Sequence, residues 1–148
     1  MTVFRTATAA DIPVLCDLLA ELFAQEVEFS PDPSKQASAL QVILDNPNVG
    51  CLFVAEKGDQ VVAMVNILFT VSTALGATVA ILEDVVVAEG FRGDKIGSGL
   101  LGHVFKVLEE QGIKRISLLT DSDNLKAQSF YQQLGFEHSN MKTLRKFL

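Results

Sequence analysis

Apolar positions along the chain follow two spacings, and each marks a kind of element. Ile12, Leu15, Leu18, Leu19, Leu22 and Phe23 recur at helical intervals. Before them, Thr2–Thr6 reads as a short strand. Thr8-Ala9-Ala10-Asp11 has the spacing of a capping box, with Asp in place of Glu or Gln. Ser30-Pro31-Asp32-Pro33 then interrupts, because each proline drives its predecessor out of the helical region. A second helix is predicted over 34–44, closed by Asn46-Pro47. Two β-rich runs, 51–56 and 60–70, flank Lys57-Gly58-Asp59 as a hairpin. A turn over 71–76 leads to a third long strand, 78–87. Helix 97–111, strand 113–120 and helix 125–134 follow. Asp121-Ser122-Asp123-Asn124 is helix-capping chemistry, and Gly135 sits where a left-handed terminator belongs. Residues 141–148 could add a last strand.

This order, β-α-α-β-β-β-α-β-α-β, predicts an α/β (α+β) fold with a mixed, mostly antiparallel sheet. One right-handed crossover makes strands 78–87 and 113–120 parallel. No repeat or long linker divides the chain, so 1–148 reads as a single domain. Its 148 residues, 49% hydrophobic and 20% charged, suffice for a packed core.

No apolar run approaches the ~20 residues that span a bilayer. The first five residues lack the pattern of a signal peptide, so a cytoplasmic protein without membrane association is expected. A net charge of −6 argues against non-specific nucleic-acid binding and permits a cationic small molecule. Cys16 and Cys51 read as reduced, buried thiols. His103 and His138 lack metal-ligand spacing, so no metal is expected.

Gly97, Gly99 and Gly102 change the picture. They lie in an otherwise good helix, where each costs about 1 kcal/mol relative to alanine. Close approach of another backbone, or of a phosphate at the helix's positive end, would justify them. The loop over 91–98 is compact, and Arg92 and Lys95 give it positive charge. It is neither a GxxxxGK[ST] loop nor a GxGxxG fingerprint. On the loop alone, an anion cradle and a plain strand-to-helix turn remain equally open.

Arg92-Gly93-Asp94-Lys95-Ile96-Gly97 resembles motif A of the GNAT superfamily of acyl-CoA-dependent N-acetyltransferases, Gln/Arg-x-x-Gly-x-Gly/Ala. Asn124-Leu125-Lys126-Ala127-Gln128-Ser129-Phe130-Tyr131-Gln132-Gln133-Leu134-Gly135-Phe136 is similar to a second motif of that family. Lys95 departs from the pattern, standing where the first glycine usually is. The resemblance implies the GNAT fold, with the strands around Val87 and Leu118 splayed apart. It implies acetyl-CoA as cosubstrate, with pantetheine along the main chain of Val85, Val86 and Val87. The pyrophosphate would rest on amides of Gly93, Asp94, Lys95, Ile96, Gly97 and Ser98, beside Arg92. Asn124 would bond pantetheine or cap its helix. Homodimers are common in the family, but no residue here signals one.

Acetyl transfer to a primary amine, by direct attack in a ternary complex, has three needs. The acceptor must lose a proton, the developing oxyanion must be stabilised, and the leaving thiolate must gain a proton. A main-chain N–H of the 85–87 stretch would serve the oxyanion. The resemblance assigns the acid to Tyr131, the only tyrosine. Glu83 and Asp84 interrupt an apolar strand on opposite faces. Glu83, with acidity weakened by burial, is expected as the base, directly or through water; Asp84 is the rival. Leu119 stands near the place where some relatives carry a Glu. Glu21, Glu26, Glu28 and Asp32 could bind a cationic acceptor, or form a solvated acidic face. The alternatives are a non-catalytic acyl-CoA-binding regulator, against which Tyr131 argues, and acetylation of protein amines.

Overall fold

Every predicted element but one is present in the computed structural model, which describes residues 1–26 and 29–148. Strand β1 (Thr2–Thr6) leads through a 3-10 turn (Ala9–Asp11) to helix α1 (Ile12–Gln25) and helix α2 (Pro33–Asp45). Strands β2 (Gly50–Lys57), β3 (Gln60–Ser72) and β4 (Ala77–Val87) follow, then helix α3 (Ile96–Glu110), strand β5 (Ile116–Leu118) and helix α4 (Leu125–Gln133). Local chemistry sets the boundaries. Asp11 accepts a hydrogen bond from the Thr8 N–H at 2.8 Å, the reciprocal half of a capping box. Arg5 grips the same carboxylate at 2.8 Å and holds it well below the usual carboxylate range. Asp32 caps α2 by accepting from Lys35, and Pro33 fills a first-turn position whose N–H needs no partner.

The exception is the tail. Residues 141–148 form no strand, and Met141, Leu144 and Phe147 are exposed. A strand needs a neighbour to take its hydrogen bonds, and β5 offers little edge. It spans Ile116–Leu118 where the sequence predicts 113–120, because the Ile113 N–H is still bonded to Leu108 of α3.

The sheet runs β1-β2-β3-β4-β5, antiparallel except for β4 and β5. Alternation along β3 sends Val65 and Ile67 to one face and Met64 to the other. The first face packs on α3 through Leu100, Leu101 and Val104; the second packs on α1 and α2 through Leu15, Leu19 and Leu40. Each such buried side chain contributes roughly 1.5–3 kcal/mol of transfer free energy.

Packing accounts for two of the three helical glycines. A Cβ at Gly99 would lie 2.7 Å from Phe4 Cζ, so glycine lets the β1 aromatic rest on α3. A Cβ at Gly97 would lie 3.3 Å from Val87 Cγ2 and 3.6 Å from Phe130 Cζ, where β4, α3 and α4 converge. Nothing in the structure explains Gly102.

Candidate active site at the open end of strand β4

Parallel pairing joins Ala80 to Ile116, Ile81 to Ser117 and Leu82 to Leu118, and there it stops. Strand β4 continues to Val87 with no strand partner on that side among the described residues. The parting coincides with a β-bulge. Asn66 faces Asp84 and Ile67 faces Leu82, which leaves Glu83 as the extra residue. A bulge bends its strand and ends regular pairing. The Ala88 N–H bonds to Val62 of β3. By antiparallel alternation, the Val86 peptide groups then face β3, and those of Val85 and Val87 face the opening. The Val87 carbonyl there accepts from Arg92 Nε at 3.0 Å.

Beyond Val87 the chain turns into α3. The first α3 hydrogen bond runs from Gly99 to the Lys95 carbonyl, so the N–H groups of Ile96, Gly97 and Ser98 have no acceptor within the helix. They present a positive helix end, suited to anionic oxygens. Side chains pin the loop: Arg92 lies 3.6 Å from Glu21 of α1, and Asp94 lies 3.7 Å from Lys57 at the β2–β3 hairpin. Glu21 also accepts from the Glu89 N–H at 3.3 Å. Arg92 is thus committed to the protein as well as placed beside the amides.

Lys95 is the only non-glycine among the described residues with positive φ, at 60°. The position where the resemblance expects a glycine thus adopts the left-handed region in this chain, and Lys95 occupies it under strain of about 1–2 kcal/mol. Lys95→Gly should relieve that strain. Glycine's greater unfolded-state freedom offsets part of the gain, leaving about 0.5–1 kcal/mol of added stability. Thermal unfolding should register a rise in Tm of about 1–4 °C. An unchanged or lower Tm would mean that the lysine side chain compensates for its own backbone.

The two carboxylates differ sharply. Glu83 is exposed on the bulge, while Asp84 is partly buried beside Asn66. The burial expected of Glu83 therefore falls on Asp84, because the extra residue turns Glu83 outward. Burial pushes the Asp84 carboxyl up to about 6; Asn66 pulls it down and Glu83 pushes it further up. Asn66 Nδ2 donates to Asp84 Oδ2 at 2.9 Å. Sequence reasoning missed Asn66, although a single amide within Val61-Val62-Ala63-Met64-Val65-Asn66-Ile67-Leu68 was a readable signal.

Tyr131 packs between Phe130 and Phe136, with ring centroids 5.3 and 5.6 Å away. Burial first, and the Asp84 charge second, push its phenol up to about 12, so it keeps its proton through the neutral range. Among the described residues its hydroxyl has no hydrogen-bond partner. Asn124 Oδ1 accepts from the Ala127 N–H at 3.1 Å and caps α4. In the acidic group, Glu21 is engaged by the loop, Asp32 caps α2, Glu26 follows α1, and Glu28 lies outside the described residues. His103 is wedged between Phe4 and Phe53. Cys16 and Cys51 are free and partly buried, which raises both thiols. Among the described residues, no group of three or more His, Cys, Asp and Glu could hold a metal ion, and no helix is long and apolar enough to cross a membrane.

Residues 13–136 match the Acetyltransferase (GNAT) family. The chain is 29% identical, over 122 residues, to the uncharacterized N-acetyltransferase YhfO of Bacillus subtilis (strain 168), covering 80% of this chain and 81% of that one. A transcriptional regulator from Bacillus halodurans C-125 is 30% identical, with a TM-score of 0.85 over 99% of this chain and 100% of that one. A predicted acetyltransferase with acetyl-CoA from Clostridium acetobutylicum shares the fold at 20% identity and a TM-score of 0.82, covering 99% and 96% of the two chains.

Proposed function

This chain belongs to the GNAT acetyltransferase family, and on that premise we propose that it transfers acetyl from acetyl-CoA to a primary amine bound beside Asp84 and Tyr131. One observation carries the reading: β4 runs past the end of β5, and an amide-lined helix start lies just beyond it. The residues fit the coenzyme. The peptide groups of Val85 and Val87 would receive pantetheine as an added strand, with Val86 holding β4 to β3. The amides of Gly93 through Ser98 would hold the diphosphate. When bound, the coenzyme supplies an activated acetyl thioester.

Of the two carboxylates, Asp84 is the better base and Glu83 the second choice. A carboxyl at about 6 is ionised at neutral pH, yet basic enough to take a proton from nitrogen as attack makes that nitrogen more acidic. Tyr131, still protonated, hydrogen-bonds the departing sulfur and gives it a proton. A main-chain N–H of Val85 or Val87 steadies the oxyanion. The N–C bond forms, the C–S bond breaks, Asp84 gains the amine proton and Tyr131 loses its own. Solvent then restores both groups.

Calorimetry with acetyl-CoA and free CoA tests the grip. A panel of polyamines, amino sugars, aminoglycoside antibiotics and short peptides, scored by released thiol, tests the chemistry. We expect heat from both coenzyme forms and turnover with at least one amine class. No heat with either form would overturn the reading. The name of the Bacillus halodurans relative favours one second reading, a regulator that binds acyl-CoA without turning it over. Binding without turnover across the panel would support it, and preference for peptides would point to protein acetylation.

A further inference from the structure

We propose that Asn66 is a positioning residue for catalysis, fixing the Asp84 carboxylate for proton abstraction by holding one of its oxygens from the neighbouring strand. The inference rests on the reading of Asp84 as the base. Asn66 and Asp84 are direct cross-strand partners at the edge of the bulge, joined by the 2.9 Å Nδ2–Oδ2 hydrogen bond. A carboxylate only accepts, so the amide nitrogen must face it. That leaves Asp84 Oδ1 to receive the proton, and it removes one freedom from a side chain that must meet a reacting nitrogen.

Packing does not explain the amide. Asn66 is only 5% exposed, and its own Oδ1 is buried with no partner among the described residues. Every other side chain from Val61 to Leu68 is apolar. An apolar residue of similar size would pack there without burying an unpaired carbonyl. Asn66 weakens the fold locally and returns a single oriented donor.

The surrounding charges are few. Strands β3 and β5 carry no charged side chain. On β4, the Glu83 charge acts on Asp84; from α4, Tyr131 lies within reach of the Asp84 charge. Helix α1 brings Asp17 and Glu21, the latter engaged by Arg92 and Glu89. Helix α3 brings His103, Lys106, Glu109 and Glu110. Hydrogen bonding from Asn66 opposes the burial of Asp84 and favours its ionised form.

The test follows the Asp84 carboxyl by carbon-13 NMR in the ligand-free protein, with D84N assigning the signal. In Asn66→Leu the titration should move above its wild-type position of about 6. With acetyl-CoA and the fastest amine of the panel, the acid limb of kcat/KM should move by the same amount. The loss below the limb should be about tenfold and shrink towards alkaline pH, while KM for acetyl-CoA holds. A merely structural role would lower activity at every pH without moving either titration. An unmoved carboxyl signal in N66L overturns the inference. A moved signal with an unmoved acid limb shows instead that Asp84 is not the base. Should N66L fail to fold by circular dichroism, Asn66→Ala, which withdraws the donor without adding bulk, decides the same question.

Discussion

Asp84→Asn should lower kcat by about 10²–10⁴-fold, the range that one positioned proton acceptor supplies. The amide keeps the size and shape of the acid but cannot take the amine proton. Wild-type kcat/KM should rise with pH to a limb near 6, where Asp84 ionises, and that limb should vanish in D84N. Stability should move the other way. Asp84 titrates at about 6 in the fold against an ordinary 3.8, so the unfolded chain ionises first as pH rises. Wild-type stability therefore falls between about pH 4 and 6 and stays reduced above that interval. At roughly 1.36 kcal/mol per unit, D84N should be more stable at pH 7 by up to about 3 kcal/mol, with the gain gone below pH 4. Denaturant melts at both pH values check the sign. Glu83→Gln, made alongside, should stay near wild type in turnover, because its side chain is exposed on the bulge. If D84N keeps its rate and E83Q loses it, the base is Glu83.

Tyr131→Phe should reduce kcat by about 10²-fold, the low end of the same range. A phenol at about 12 is a weaker acid than the thiol it would form, near ~8.5, so it acts mainly as a hydrogen-bond donor that completes the transfer as sulfur departs. Affinity for CoA, measured by calorimetry, should not change, because the proposed role sets the hydroxyl at the departing sulfur while the amides of the α3 start hold the diphosphate. Thermal stability should hold within about 0.5 kcal/mol. Phenylalanine keeps the ring between Phe130 and Phe136, and the hydroxyl has no partner to abandon among the described residues. Wild-type rates should show no alkaline loss from Tyr131 at pH 9 or 10. Such a loss, abolished by Y131F, would place the phenol in a wetter setting.

Elements that carry their own boundary chemistry were legible in the chain. Asp32-Pro33 opens α2, Asn124 caps α4, and Gly135 adopts φ 98° just after that helix. The motif around Arg92 led to the opening between β4 and β5. Long-range relations were not legible. Alternation alone set Glu83 and Asp84 on opposite faces as equals, since nothing local announces that Leu82 and Asp84 face consecutive residues of β3 with Glu83 spare. Asn66 acquires meaning only when β3 is laid beside β4. Lys95 stood out as a departure from the glycine pattern, but its left-handed backbone shows only in the fold. The tail has alternating apolar residues, but alternation describes a preference and a strand requires a neighbour.

The spare residue on β4 has a consequence beyond the acid it turns outward. Pairing with β5 ends just before it while β4 runs on to Val87, so main-chain groups frame the opening there. On the proposed reading, substitutions among the side chains around that opening redraw which acceptor fits, while the main-chain frame stays in place.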